Sequence, residues 1–304
     1  MSFEDEYSTD AFVNKLRIYN FSSSAQTQLQ TSDILMVADD MIREIIFPNL
    51  IVLNENYSLY YEDKSTVANQ STYTIPTRAI LNMLHSVWII QNNMKLYLDR
   101  INLSDVSASN TLSSQRPISY YLMDYEITFF PSPDTSNYTY RCYYYKRPNK
   151  MVILSKAAKV LLVNKLTGLV TYASTPPSTF TSSVRYDFLS HLPPFVFPAL
   201  DVTGAAPVLS TQLFPIASVQ NLNPGDYVCL SGETVAPAIP VELTTLLIRL
   251  VMSSMAVAQS DVSRYQMSDK EIKEKIAEIY RIPGPRVTNQ SVGLNLMNSP
   301  FARW

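Results

Sequence analysis

Glycine is scarce in this chain, six residues in 304. Phosphate-binding loops need close-set glycines so that the backbone can approach the ligand. The nearest pair, Gly225 and Gly232, is seven positions apart, which excludes a dinucleotide fingerprint and a Walker-type loop. Histidine is scarcer still. His85 and His191 form no H-x-x-x-H pair, and two histidines cannot make a three-histidine metal centre. A single Ser-His-Asp triad stays open, although no G-x-S-x-G elbow is present to carry it. The only cysteines, Cys142 and Cys229, match no metal or redox spacing. They read as buried, reduced thiols, which fits a reducing compartment. No apolar run approaches the roughly 18 residues of a membrane span. The opening M-S-F-E-D-E-Y is acidic where a signal peptide would be apolar. A soluble protein made in a cytoplasm is expected, with no membrane partner and no cofactor. Charge of one sign is lacking too: the formal net charge is −2, so the chain is no bulk polycation for nucleic acid.

What is abundant is tyrosine, with 20 residues, and proline, with 19. Eight of the tyrosines fall between Arg116 and Val152. Two strand patterns, Tyr125–Phe130 and Tyr138–Tyr145, flank a connector with two prolines, Asp134, Ser136 and Asn137. Aromatic and β-branched strands around turn residues predict a β-hairpin. Alternation puts Tyr138, Tyr140, Cys142 and Tyr144 on one face of the second strand, and Arg141, Tyr143 and Tyr145 on the other.

Helices are expected at both ends. Thr9 is placed to cap a short helix through Tyr19, with Phe12, Leu16 and Tyr19 as its stripe. Ser32-Asp33 starts a stronger helix that should end before Pro48. Its polar face includes Asp39 and Asp40, read as solvated. Strand-like pieces follow at Thr72–Ile75, Ser86–Ile90 and Lys95–Leu98, with a short helix allowed after Pro76 and a tight turn at Asn92-Asn93. Ser104–Gln115 reads as an exposed loop. From Leu154 to Val235, short strands between Pro and Gly predict a small β-sandwich or barrel. A helix over Glu242–Gln259 and a charged one over Ser268–Tyr280 follow, the latter opened by a Ser268/Glu271 capping box and stopped by Pro283-Gly-Pro285. The expected fold class is α+β: a helical bundle of N- and C-terminal helices with inserted antiparallel β elements. Four regions result: 1–153 (helices and hairpin), 154–236 (inserted β-rich domain), 237–285 (completing helices) and 286–304 (an extended docking tail).

Charge is segregated along the chain. Residues 1–63 carry a net −8. Residues 141–165 hold Arg141, Lys146, Arg147, Lys150, Lys156, Lys159 and Lys165 with no acid. The first six are a candidate basic patch for a partner copy or a charged polymer. Residues 286–304 carry no acid, and their Leu294, Leu296, Met297, Phe301, Arg303 and Trp304 form a candidate docking peptide.

The order of these pieces resembles the head-to-tail adaptor proteins of short-tailed bacteriophages, also called connector, neck or ring proteins. Tyr73-Thr-Ile-Pro76 resembles the family's x-L-P strand. Arg116-Pro-Ile-Ser-Tyr120 with Glu126-Ile-Thr-Phe-Phe-Pro-Ser-Pro133 resembles its P-x-x-Y followed by x-L-x-L-x-P-x-P. Tyr140 to Pro148 resembles its strand ending in Y-Y-x-R-P. The stretches Gly168 to Phe180 and Gly225 to Thr234, with Pro240-Val-Glu-Leu, are similar to long members with an extra β domain, the nearest impression being of crAss-like or related phages. The likeness spans about residues 30 to 285 and rests on order and spacing. It departs at Val257-Ala-Gln-Ser-Asp261, where the family often has A-x-G-D. The resemblance implies a non-enzymatic virion protein, a homo-oligomeric ring, usually of twelve copies, at the head–tail interface. It would join the portal protein to tail or further neck proteins, with double-stranded DNA passing through without base readout. The tail would dock on the portal. The alternative expectation is a tail-associated β-domain protein that binds another tail component or a receptor. A third is an esterase-like enzyme using one serine and one histidine.

Overall fold

The computed structural model describes residues 6–19, 30–53, 56–92, 94–105 and 115–258, together with Ile272 and Glu274. The fold is mixed α+β, with 35% strand against 27% helix, and its sheets are curled like half-barrels. Two compact units divide the chain: residues 54–147 form one, and the flanking residues on both sides form the other. The stretch 1–153, read as one region, therefore contributes to both.

The flanking unit starts with α1 (Thr9–Tyr19). Ser8, not Thr9, caps it: the Ser8 hydroxyl accepts the Ala11 N–H at 3.1 Å. Thr9 is tied to distant backbone instead, its N–H donating to Val235 O and its hydroxyl to Val152 O. The buried stripe is Ala11, Phe12, Val13 and Leu16, whereas Tyr19 is exposed. Helix α2 (Thr31–Met41) does not stop at Pro48. A π turn over Ile42–Ile46 leads into α3 (Phe47–Leu53). The wider π turn precedes the point where the Pro48 ring would crowd the carbonyl four residues back. Asn49 Nδ2 donates to Ile45 O at 2.7 Å, satisfying one released acceptor. Helix α4 (Thr244–Ala258) packs against α1 and α2. In the charged helix expected over 268–280, Ile272 is helical and buried and Glu274 is helical and exposed; its other residues lie outside the described ones.

In the central unit, β1 (Leu59–Ser65), β2 (Thr72–Thr74), β3 (Ala79–Gln91), β4 (Met94–Arg100), β5 (Ser119–Met123), β6 (Glu126–Phe130) and β7 (Thr139–Lys146) make one sheet in the order β1-β7-β3-β4-β5-β6-β2. The expected Tyr125–Phe130/Tyr138–Tyr145 hairpin is not formed. β6 pairs with β5 and β2, and β7 pairs with β1 and β3. The connector cannot fold back on itself because its backbone is bonded elsewhere: Asn69 N–H reaches Pro133 O, Gln115 N–H reaches Ser132 O, and Thr66 N–H reaches Tyr138 O. The short helix after Pro76 is a turn that feeds β3 directly, closed by Ala79 N–H on Pro76 O. β3 and β4 pair antiparallel with Gln91 opposite Met94; of the expected Asn92-Asn93 turn, Asn93 lies outside the described residues. Most of the loop Ser104–Gln115 lies outside the described residues. The core takes one face of β7, the one that alternation assigns to Tyr138, Tyr140, Cys142 and Tyr144, packed with Val87, Ile89, Leu98, Ile127 and Phe129.

The expected sandwich or barrel at 154–236 is a single six-stranded sheet. Its strands are β9 (Ala158–Asn164), β10 (Leu169–Tyr172), β11 (Arg185–Leu189), β12 (Ala199–Thr203), β13 (Thr211–Leu213) and β14 (Tyr227–Leu230), in the order β12-β11-β14-β9-β10-β13. Curling lets one sheet enclose Tyr172, Phe180, Tyr186, Phe188 and Phe214, so no second sheet is required to cover them. Gly168 turns β9 into β10 with φ +77°; a Cβ there would lie 2.1 Å from Phe214 O. Two short strands, β8 (Lys150–Met151) and β15 (Glu233–Thr234), pair in parallel. Among the described residues, no helix is long and apolar enough to cross a membrane.

Candidate functional site

The face of the central sheet opposite its core carries a row of aromatic and charged side chains. Period-two alternation puts Tyr61 and Asp63 of β1, Arg141 and Tyr143 of β7, Trp88 of β3 and Tyr97 of β4 on that face. Asp63, Arg141, Trp88 and Tyr97 stand in cross-strand register, one beside the next. Arg141 grips Asp63 through two bonds of 2.7 Å, from Nε and Nη2. Its guanidinium lies 4.0 Å from the centre of the Tyr61 ring. Tyr61 and Tyr143 centroids are 5.8 Å apart, and Trp88 and Tyr97 are 5.6 Å apart, edge to face. The Asp63 bond holds the Arg141 proton more firmly than usual. Tyr61 is 54% exposed and Tyr97 53%. Tyr, Trp and Arg are the side chains that dominate protein interfaces, and here they form a preassembled cluster.

The six residues of the candidate basic patch are divided between the units. Arg141, Lys146 and Arg147 belong to the central unit, and Lys150, Lys156 and Lys159 to the flanking one. The acid-free run in sequence is not acid-free in space. Arg141 is paired with Asp63. Lys146 is buried, its Nζ 5.0 Å from the Tyr60 ring centre. Lys150 stands opposite Glu233 in the β8–β15 ladder. Burial raises the Glu233 pKa, and Lys156 and Lys150 oppose that rise. The spacing of charges along a strand does not reveal which acids its neighbours supply. Leu294, Leu296, Met297, Phe301, Arg303 and Trp304 lie outside the described residues.

The two histidines hold separate parts of a triad. His191 Nδ1 is 2.8 Å from Asp226 Oδ1, and Asp226 also accepts the N–H groups of His191 and Asn223. His85 Nδ1 is 3.2 Å from Ser86 Oγ, which also accepts the Trp88 indole N–H. Among the described residues, the histidine with an acid has no serine bonded to it, and the histidine with a serine has no acid bonded to it. Asp226 is nearly fully buried and anchors the turn into β14, so its bonds account for it structurally. Among the described residues, no group of three or more His, Cys, Asp or Glu could hold a metal ion. Cys142 and Cys229 are buried and unbridged, and burial pushes the Cys142 thiol up to about 12.

Two features escaped sequence reasoning. Asp39, expected on a solvated face, is 4% exposed and accepts the Met151 N–H at 2.9 and 3.2 Å. Burial raises its pKa to about 6 against the pull of Arg43 and Lys150. Its neighbour Asp40 is exposed, as expected. The second is a line of exposed leucines on the outer side of the curled sheet: Leu162, Leu166, Leu169 and Leu213, with Leu169 and Leu213 directly opposite each other. The L-T-G-L spacing offers a clue only once β9–β10 is known to be a hairpin. No protein-family model matches the chain, and no curated protein matches it.

Proposed function

We propose that this chain is a structural subunit of a phage neck: a head-to-tail adaptor that closes into a ring on the portal, with DNA passing through its lumen. The observation that carries the proposal is topological. Helices from the two ends of the chain, α1, α2 and α4, pack on one another, and the β elements are inserted between them in sequence. The resemblance implies terminal helices with β elements inserted between them. The finer version, a bundle completed by residues 237–285, belongs to the same proposal. The exposed Leu169–Leu213 pair and the Tyr–Trp–Arg face support assembly, because exposed apolar and aromatic side chains of this kind favour burial by a partner.

In this reading the pure chain is a monomer or loose oligomer, and the portal imposes the rotation at which head-to-tail contacts close. DNA contact is non-specific, since tight phosphate contacts would impede sliding. Residues 286–304 dock on the portal. Cryo-electron microscopy of particles bearing the protein should place it at the neck, and deleting residues 287–304 should abolish its incorporation. Density elsewhere on the particle, or unchanged incorporation of the truncated chain together with no neck density, would sink the proposal.

A second reading has its own support. The Tyr61–Arg141–Trp88–Tyr97 face suits a tail-associated protein that grips another tail component or a receptor. Replacing Tyr61 and Tyr97 by Ser would then abolish that contact while leaving neck assembly untouched.

A further inference from the structure

The flanking unit contains a cleft of about 260 Å³ beside the first turn of α4. Phe12 and Ile248 give it an apolar floor, and both are buried in the unit's core. Tyr7 and Phe195 form one wall, their rings 5.5 Å apart and tilted by 56°. Thr245 lines the exposed rim. Glu6 and Lys15 are its charged groups, and Lys15 Nζ is held by Glu6 O at 2.9 Å.

The volume decides what fits. Pockets for drug-sized ligands run from roughly 300 to 1,000 Å³, so this cleft is sized for one or two bulky side chains. A phosphate finds one ammonium, already bonded. A metal finds one carboxylate. An aromatic side chain finds a floor and a wall of matching character, and an adjacent cation finds the Glu6 carboxylate.

The chain itself contains such a segment. Residues 286–304 have no acid, and Arg303 sits between Phe301 and Trp304. Thirty residues separate Glu274 from Trp304, about 100 Å when extended at roughly 3.3 Å per residue. The 15 residues of α4 span only about 22 Å at 1.5 Å each, so reach is no obstacle.

We propose that this cleft receives the Phe301–Trp304 segment of the same chain or of a neighbouring copy. The contact goes beyond the adaptor role and does not depend on it. If that role also holds, the portal and the cleft compete for one segment.

The test uses the full chain with two introduced cysteines, Thr245→Cys on the rim and Ser299→Cys beside the aromatic pair. Native thiols give little background, because Cys142 and Cys229 are buried. A control pairs Ser299→Cys with Leu166→Cys, at a position 87% exposed on the β9–β10 turn. Docking should make the cleft pair cross-link at least about tenfold faster than the control, since a docked segment has a far higher effective concentration than a free linker. Cross-linked monomers on a non-reducing gel place the contact within one chain, and dimers place it between copies. Adding Phe301→Ala and Trp304→Ala should return the rate to that of the control. Equal rates in the two pairs, or a fast rate that survives loss of both aromatics, overturn the proposal. The assay needs no portal, so its failure is separate from failure of particle incorporation.

Discussion

Asp39 illustrates how much one burial decision changes. Adjacent acids at 39 and 40 look equivalent in sequence, yet one faces water and the other receives the N–H of Met151, the last residue of β8. Because the folded-state pKa lies above the usual 3.8, at about 6, the folded state favours the protonated form. The stability contribution of this group is complete below about pH 4 and is lost as pH rises through about 6. Two pKa units correspond to about 3 kcal/mol. Asp39→Asn keeps an acceptor for Met151 N–H and cannot ionise. The variant should therefore lose this fall in stability and exceed the parent at pH 8 by up to about 3 kcal/mol. Urea unfolding at pH 4.5 and pH 8 on both proteins decides it; parallel pH profiles would refute the assignment.

At the scale of the element, β7 shows both the reach and the limit of periodicity. Its alternation sorted its side chains onto two faces, because a side chain's direction along a strand depends only on residue parity, but did not say which face the core would take. Its partners were misassigned, because strand pairing depends on where the connector is held, and Asn69, Gln115 and Thr66 are distant in sequence. Adjacent positions should differ sharply in cost. Tyr140→Ala empties a site packed by Tyr73 and Phe129, at centroid distances of 5.0 and 5.2 Å, and should cost about 3–5 kcal/mol. Arg141→Lys loses the two-pronged bond to a partly exposed Asp63 and should cost under about 1 kcal/mol. Chemical denaturation of the two variants measures both; equal losses would show that the outer face is as firmly packed as the core.

For the whole molecule, the division at residues 53/54 and 147/148 is the finding that sequence order concealed. Among the described residues, 54–147 hold a seven-stranded sheet with its own core and no helix longer than a turn. That segment should fold when expressed alone. Dispersed amide resonances and a cooperative thermal transition are expected, and a collapsed spectrum would show that the cut removes something its core needs.

What the sequence determined by itself were the local and periodic properties: the helices flanking a β-rich middle, which side chains of β7 share a face, and the want of the close-set glycines and third histidine that phosphate loops and three-histidine sites require. Each follows from neighbouring residues or from a missing residue type, so no distant contact can alter it. Tertiary structure alone decided the rest: the strands beside β7, the path of the helix through Pro48, which of two adjacent aspartates is buried, and which acids the basic run meets. These depend on groups remote along the chain that compete for the same hydrogen bond or the same volume, and that competition is settled only when the chain folds.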